Sequence, residues 1–212
     1  MDRRARLASS RLYLVLEARP HGADPSVLLD EALRGGVDIV QLRDKELSDD
    51  DLVVAAEPFR RACAAHGALF VLNDRPELVE RCGADGVHVG QGDASVADAR
   101  RTVGAERLVG LSASTRAELE AASDAADYLG VGAIFGTPTK PEAEAGGLEL
   151  VRAARDLLRV PWFAIGGVEL DTAEAIAAAG ASGLAVVRAV RDAADPREAA
   201  RTLRALLPIH TV

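Results

Sequence analysis

Several polar residue types are scarce in this sequence of 212 residues. It has two lysines among its 25 basic residues, one asparagine and two glutamines. Arginine supplies nearly all of the positive charge, as a GC-rich coding bias favours wherever chemistry is indifferent. Lysine is a compact point charge and arginine a planar fork, so a site can require one and reject the other. Positions where the scarce types persist are therefore candidates for a chemical requirement: Gln41, Lys45, Asn73, Gln91 and Lys140.

Other scarcities argue against whole classes of protein. The two cysteines, Cys63 and Cys82, show no metal-ligand or redox spacing, which favours buried thiols in a reduced cytoplasmic setting. No apolar run reaches the ~18 residues typical of a membrane helix, and the run after the basic N-terminus is too short for a signal peptide. The net charge of −8 argues against nucleic-acid or anionic-membrane partners. The sequence gives no indication of the oligomeric state.

Short apolar runs alternate with helical patterns eight times along the chain. Segments 49–66 and 174–180 have apolar residues at helical spacing, and Ser48 and Asp195 are placed to cap helices. This alternation predicts a parallel sheet, and eight units fit a closed (β/α)₈, or TIM, barrel. An open doubly wound sheet is the alternative, although no glycine-rich turn follows the first run. With no linker in view, we expect one domain over residues 1–212. The runs are 12–16, 38–42, 69–73, 86–90, 107–111, 127–135, 162–166 and 183–187.

The scarce residues collect at one predicted end of this barrel. In TIM barrels, chemistry occurs where the carboxyl ends of the strands meet the following loops. The segments 41–45, 73–74, 91–93 and 137–140 lie at the carboxyl ends of the second, third, fourth and sixth runs. We therefore predict a functional site at this end.

Two carboxylates at this end indicate a metal site. Asp74 and Asp93 end adjacent strands, which lie ~5 Å apart in a sheet, so both can reach one Mg²⁺. Either residue could instead cap the following helix, and the two roles are compatible. Arg43, Lys45 and Lys140 would neutralise a diphosphate beside the metal. Ordinary solvated charge is the alternative for these three cations.

A second anion site is predicted after the last two strands. Residues 165–167 read Ile-Gly-Gly, and Val187 and Arg188 end the eighth run, where barrels commonly bind phosphate. His88 is predicted to be a core or supporting residue rather than a catalytic base. A site rich in cations and hydroxyls such as Ser112, and poor in histidine, suits substitution at carbon with pyrophosphate leaving.

The chain resembles the thiamine-phosphate synthase family nearly end to end, through GGVDIVQLRDK, VLND, GADGVHVGQGD, LSAST, YLGVGAIFGTPTK and AIGGV. The resemblance implies a (β/α)₈ barrel that joins 4-amino-2-methyl-5-hydroxymethylpyrimidine diphosphate to a thiazole phosphate, with Mg²⁺, and releases pyrophosphate. It also implies that Asp74 and Asp93 bind the metal. The catalytic residues implied are Arg43, Lys45, Ser112 and Lys140. The substrate-binding residues implied are Gln41, Leu42, Arg43, Asp44, Lys45, Asn73, Ser112, Thr137, Pro138, Thr139, Lys140, Gly167, Val187 and Arg188.

The sequence departs from the family at two places. The first run reads LYLVLEA where the family more often has Thr-Asp, and Arg188 stands where the family usually has Ser. One alternative is an altered relative of the same fold, either a thiazole tautomerase or a regulatory protein. A tautomerase would want a histidine near Ser114. A sugar-phosphate isomerase barrel would need an acid–base pair, which the sequence does not offer.

Overall fold

The strands form a closed barrel. The structure, a computed structural model, describes residues 2–122, 126–136 and 145–207. Eight parallel strands pair in chain order, and the last pairs again with the first. The predicted barrel is therefore confirmed, and the open doubly wound sheet is wrong. The strands are β1 (Leu12–Leu16), β2 (Ile39–Leu42), β3 (Leu69–Asn73), β4 (Gly86–Val89), β5 (Leu108–Ala113), β6 (Tyr128–Val131), β7 (Trp162–Ile165) and β8 (Leu184–Val186).

Helices connect the strands and surround the barrel. The predicted helix over 49–66 is confirmed; Ser48 begins it by accepting a hydrogen bond from the Asp51 amide, and Asp195 caps the last helix in the same way. The α-helices are α1 (Arg3–Ser9), α2 (Ser26–Arg34), α3 (Asp49–His66), α4 (Val79–Cys82), α5 (Val96–Val103), α6 (Arg116–Ala122), α7 (Gly147–Leu157), α8 (Ala173–Ala178), α9 (Arg188–Arg191) and α10 (Pro196–Ala205). Short 3₁₀ turns cover Pro20–Gly22 and Pro76–Leu78. None of the helices in the described ranges is long and apolar enough to cross a membrane.

Alternation along the strands divides the buried side chains into two layers. One layer lies between the strands and the helices, and it includes Cys63 and Cys82, which are both buried and free. The other fills the barrel interior, and Leu7 of α1 belongs to it, so α1 covers the amino-terminal end. The interior layer consists of Leu7, Tyr13, Val15, Ile39, Leu69, Val71, Leu108, Tyr128, Phe163 and Ala185.

Three aspartates stabilise the amino-terminal end of the barrel. Asp38, Asp85 and Asp127 directly precede β2, β4 and β6, and each carboxylate accepts a backbone N–H from the preceding strand. Each also pairs with an arginine of a surrounding helix. The N–H donors are Leu12, Phe70 and Val109, and the arginines are Arg204, Arg3 and Arg100, respectively.

One predicted strand ends earlier than expected. The run 127–135 was expected to be extended throughout, but β6 ends at Val131. The next residues leave the barrel wall and follow the end of β7 instead. The Ile134 amide donates to the Ile165 carbonyl, and the Phe135 amide donates to the Gly166 carbonyl. This segment thus forms part of the carboxyl-terminal rim.

Candidate active site

A cavity of about 660 Å³ opens at the carboxyl-terminal end of the strands. Residues following different strands converge on it, as the sequence predicted. Leu42 does not line it: alternation turns its side chain into the layer under the helices, where it is fully buried. Residues 137–140, which include Thr137, Pro138, Thr139 and Lys140, lie outside the described ranges. The predicted site residues that line the cavity are Gln41, Arg43, Asp44, Lys45, Asn73, Asp74, Asp93, Ser112, Gly167, Val187 and Arg188.

Asp74 and Asp93 adjoin one another on the cavity wall. Asp74 has a left-handed backbone with φ of 61°, and its amide donates to the His88 carbonyl of the neighbouring strand. Asp93 accepts a hydrogen bond from the Gly90 amide at 2.9 Å. Burial raises the pKa of Asp74, and the charge and hydrogen bond of Asp93 raise it further. The Lys45 ammonium, 3.4 Å from Asp74, opposes this effect.

The carboxylate pair suits a hard cation. Two adjacent carboxylates repel each other, and a bound dication relieves that repulsion. Mg²⁺ is usually held by one or two carboxylates together with water and phosphate oxygens. No group of three or more His, Cys, Asp or Glu side chains able to hold a metal occurs within the described residues. The donor set therefore fits Mg²⁺ shared with a phosphorylated ligand rather than an all-protein cage.

Asp44 holds the loop that carries the cations. Its carboxylate accepts from the Glu46 amide at 3.2 Å and from the Ala18 amide at 3.4 Å. Arg43 is partly buried and Lys45 is exposed on either side of it. Both cations line the cavity, so the loop presents two positive charges near the carboxylate pair.

Two ion pairs on the opposite rim were not predicted. Arg188 bonds Glu169 at 2.5 Å, and Arg191 bonds Glu17 at 3.0 Å. All four residues line the cavity. Glu17 belongs to the LYLVLEA departure, so at this place the chain has a carboxylate that Arg191 neutralises. The sequence signal was Glu17 itself, but its partner Arg191 comes from α9, the short helix that follows β8.

The Gly-Gly turn after β7 requires glycine. Gly167 has φ of 64°, and a Cβ there would lie 2.6 Å from the Phe135 Cβ. The Thr172 hydroxyl donates to the Gly167 carbonyl at 2.8 Å. Val187 and Arg188 face the same side of the cavity. This rim combines close backbone approach with a guanidinium, and its role as an anion site stays a prediction.

A chain of hydrogen bonds crosses the floor of the cavity. It runs from the Gln41 amide through Tyr13, Tyr128 and His88 to the Ser112 hydroxyl. The prediction that His88 supports other groups agrees with this geometry, since both ring nitrogens have partners. Burial lowers the pKa of His88 to about 4, so the imidazole is neutral at neutral pH.

Tyr13 and Tyr128 were missed at the level of sequence. They are the two tyrosines of the chain, and both fall at inward-facing positions of their strands. The scarcity of tyrosine and the inward-facing positions of both residues could have indicated a role at the site.

Comparisons with known proteins agree on one family. The model of the family described as thiamine monophosphate synthase matches residues 12–190. The chain is 47% identical over 205 residues to the thiamine-phosphate synthase of Thermobifida fusca, covering 95% of this chain and 94% of that protein. It is 45% identical over 213 residues to that of Mycobacterium leprae, covering 93% and 91%. The solved thiamine phosphate pyrophosphorylase from Pyrococcus furiosus superposes with a TM-score of 0.85 at 30% identity, covering 96% of both chains.

Proposed function

Because this chain belongs to the thiamine monophosphate synthase family, whose members are transferases, we propose that it joins 4-amino-2-methyl-5-hydroxymethylpyrimidine diphosphate to a thiazole phosphate and releases pyrophosphate. The thiazole is 4-methyl-5-(2-phosphoethyl)thiazole or its carboxylated form, which would lose CO₂ as well. The observation that supports this most is the pair of adjoining carboxylates, Asp74 and Asp93, beside Lys45 in the cavity. We also propose that residues 1–212 act as one domain in the cytoplasm.

The diphosphate is assigned to the side of the cavity after β2, β3 and β4. Asp74 and Asp93 would hold Mg²⁺, which when bound neutralises the diphosphate and the charge that develops as it leaves. Arg43 and Lys45 would contact the phosphoryl oxygens directly. Lys140 is assigned to the same group from its sequence motif.

The proposed reaction is a dissociative substitution. The bond between the methylene carbon and the diphosphate oxygen breaks, and its electron pair leaves with pyrophosphate. The aminopyrimidine ring stabilises the methylene cation, and the thiazole nitrogen donates the pair that forms the new bond. The step needs charge stabilisation and orientation rather than an acid–base pair. Gln41, Asn73 and Ser112 would orient the pyrimidine over the cavity floor.

The thiazole phosphate is assigned to the rim after β7 and β8. Gly167 and Val187 would offer backbone contacts, Arg188 a guanidinium, and residues 137–139 hydroxyl groups. Arg188 forms an ion pair with Glu169. The phosphate must therefore compete with that carboxylate.

The features that would favour the alternative functions are missing among the described residues that line the cavity. Ser114 stands where a tautomerase would want a histidine. Both ring nitrogens of His88 have partners, Tyr128 and Ser112, which disfavours His88 as the base of a sugar-phosphate isomerase.

Product analysis tests the proposal. The purified protein is incubated with Mg²⁺ and both substrates, and with each substrate alone, and the phosphorylated products are followed by phosphorus NMR. A synthase produces thiamine phosphate and pyrophosphate in equal amounts only when both substrates are present. A tautomerase would change the carboxylated thiazole phosphate alone, and a regulatory protein would change neither substrate. Absence of thiamine phosphate would refute the proposal.

A further inference from the structure

The hydrogen-bond chain across the cavity floor joins opposite sides of the barrel. The Gln41 Nε2 lies 2.7 Å from the Tyr13 hydroxyl, which lies 3.0 Å from the Tyr128 hydroxyl. His88 Nδ1 is 3.2 Å from that hydroxyl, and His88 Nε2 is 2.9 Å from the Ser112 Oγ. Gln41 comes from β2 and Ser112 from β5, and both line the cavity. The two phenols and His88 connect them across its floor.

The two phenols are held firmly in place. Tyr13 is 2% exposed and Tyr128 is fully buried. Their rings lie 5.9 Å apart between centroids, and each contacts the edge or face of Phe163. A Cβ at Gly110 would lie 2.2 Å from the Tyr128 ring, so glycine at that position makes room for the phenol. Burial and ring packing therefore restrict the two hydroxyls to the hydrogen-bond partners within this chain.

The chain has a direction, because each link needs one donor and one acceptor. The Gln41 amide nitrogen donates to Tyr13, so the Tyr13 hydrogen is left to donate to Tyr128. If every phenol hydrogen has an acceptor, Tyr128 donates to His88 Nδ1, and the hydrogen of His88 then lies on Nε2 and bonds Ser112. A cationic His88 would donate at both nitrogens and leave one phenol hydrogen without an acceptor.

We propose that Tyr13 and Tyr128 are positioning residues that set the direction of this chain, so that the Gln41 amide oxygen and the Ser112 hydroxyl hydrogen are both presented to the substrate. The inference deepens the proposed function and rests on it for the identity of the ligand. The Gln41 oxygen then accepts from an amino group, and Ser112 donates to a ring nitrogen or a phosphoryl oxygen. An aminopyrimidine diphosphate has all of these groups.

The tautomer of His88 tests the direction without any substrate. Protein labelled with ¹⁵N at histidine is examined by NMR at pH 7, and His88 is assigned by comparison with a His88→Gln variant. The proposal expects a neutral ring with the hydrogen on Nε2. A hydrogen on Nδ1, a mixture of tautomers or a cationic ring would overturn it. This result does not depend on whether the protein makes thiamine phosphate, so failure of the proposed function would be distinguishable.

Kinetics of hydroxyl deletions test the positioning role. Tyr13→Phe and Tyr128→Phe each remove one link and keep the ring, and each is expected to lower kcat/KM for the pyrimidine diphosphate about tenfold. Because both break one chain, the double variant is expected to lose no more than either single variant. Ser10→Ala is the matched control, since it deletes a buried hydroxyl bonded to the Arg6 carbonyl far from the cavity. Unchanged kinetics in both single variants, or losses that multiply in the double variant, would overturn the proposal.

Discussion

Replacement of Arg188 by serine removes the guanidinium from the phosphate rim and tests its proposed role there. Arg188 lines the cavity and bonds Glu169 at 2.5 Å, with 36% and 33% of the two side chains exposed. If the thiazole phosphate displaces Glu169, Arg188→Ser removes a charge-assisted contact from the bound state. Glu169→Gln is the matched variant, because it removes the competitor and keeps the guanidinium.

The magnitude follows from the two partners of Arg188. A hydrogen bond to a charged group contributes about 1.5–3 kcal/mol, and a partly exposed ion pair contributes ~0–1 kcal/mol. The phosphate contact therefore retains roughly 1–2 kcal/mol after the pair with Glu169 is broken. Arg188→Ser should raise KM for the thiazole phosphate roughly 5- to 30-fold. Glu169→Gln should lower it by up to about fivefold.

Steady-state kinetics with the thiazole phosphate varied at saturating pyrimidine diphosphate separates these effects. The contact is expected to be equally strong in the ground and transition states, so kcat should remain nearly unchanged in both variants. If KM stays within twofold of the parent in both variants, Arg188 points away from the phosphate and the reasoning is refuted. A large fall in kcat for Arg188→Ser would also contradict it, because the residue would then act in bond breaking.

Three further predictions concern charge. Lys45→Ala and Lys140→Ala should each lower kcat/KM by the equivalent of about 2–4 kcal/mol of transition-state stabilisation. Arg201→Ala, on an exposed helix face, is the control and should leave kcat/KM almost unchanged. A fall in kcat/KM of less than threefold in both lysine variants would contradict their assignment. Exhaustive chelation should abolish activity and Mg²⁺ alone should restore it, and activity that survives chelation would exclude a metal role. The pKa of His88 is lowered from 6.5 to about 4, so unfolded chains bind a proton on this group before folded ones do. Titration of His88 should therefore lower the free energy of unfolding by about 3 kcal/mol between pH 6.5 and pH 4. Urea titrations should show a shallower fall for His88→Gln than for the parent. Parallel falls in the two proteins would contradict this prediction.

The barrel and the location of the site followed from local patterns. Strand alternation placed His88 on the inner face, the end of the second run placed Gln41 at the cavity, and barrel closure brought Asp74 to Asp93 as expected for the ends of neighbouring strands. The Leu42 side chain does not line the cavity, because a shift of one position along a strand reverses the face. Its assignment to substrate binding stays a prediction.

The unpredicted contacts join residues far apart in the chain. Glu17 contacts Arg191 because β1 closes the barrel against β8. Tyr13 contacts Tyr128 because both side chains lie in the barrel interior. Periodicity predicts which face a residue occupies but does not predict which side chain it meets across the barrel. The early end of β6 at Val131 has a similar cause, since the backbone amides of the following apolar residues donate hydrogen bonds to carbonyls at the end of β7.

The rate of thiamine phosphate formation by an Asp74→Asn, Asp93→Asn double variant tests most directly that the chemistry occurs at the carboxylate pair. These substitutions keep the shape of both side chains and remove the charge that would hold Mg²⁺. Burial and mutual repulsion raise the pKa of Asp74, so neutral amides should leave the thermal unfolding midpoint close to that of the parent. We expect a folded variant whose rate at saturating substrates is reduced roughly a thousandfold. A folded variant that retains more than half of the parental rate would contradict it.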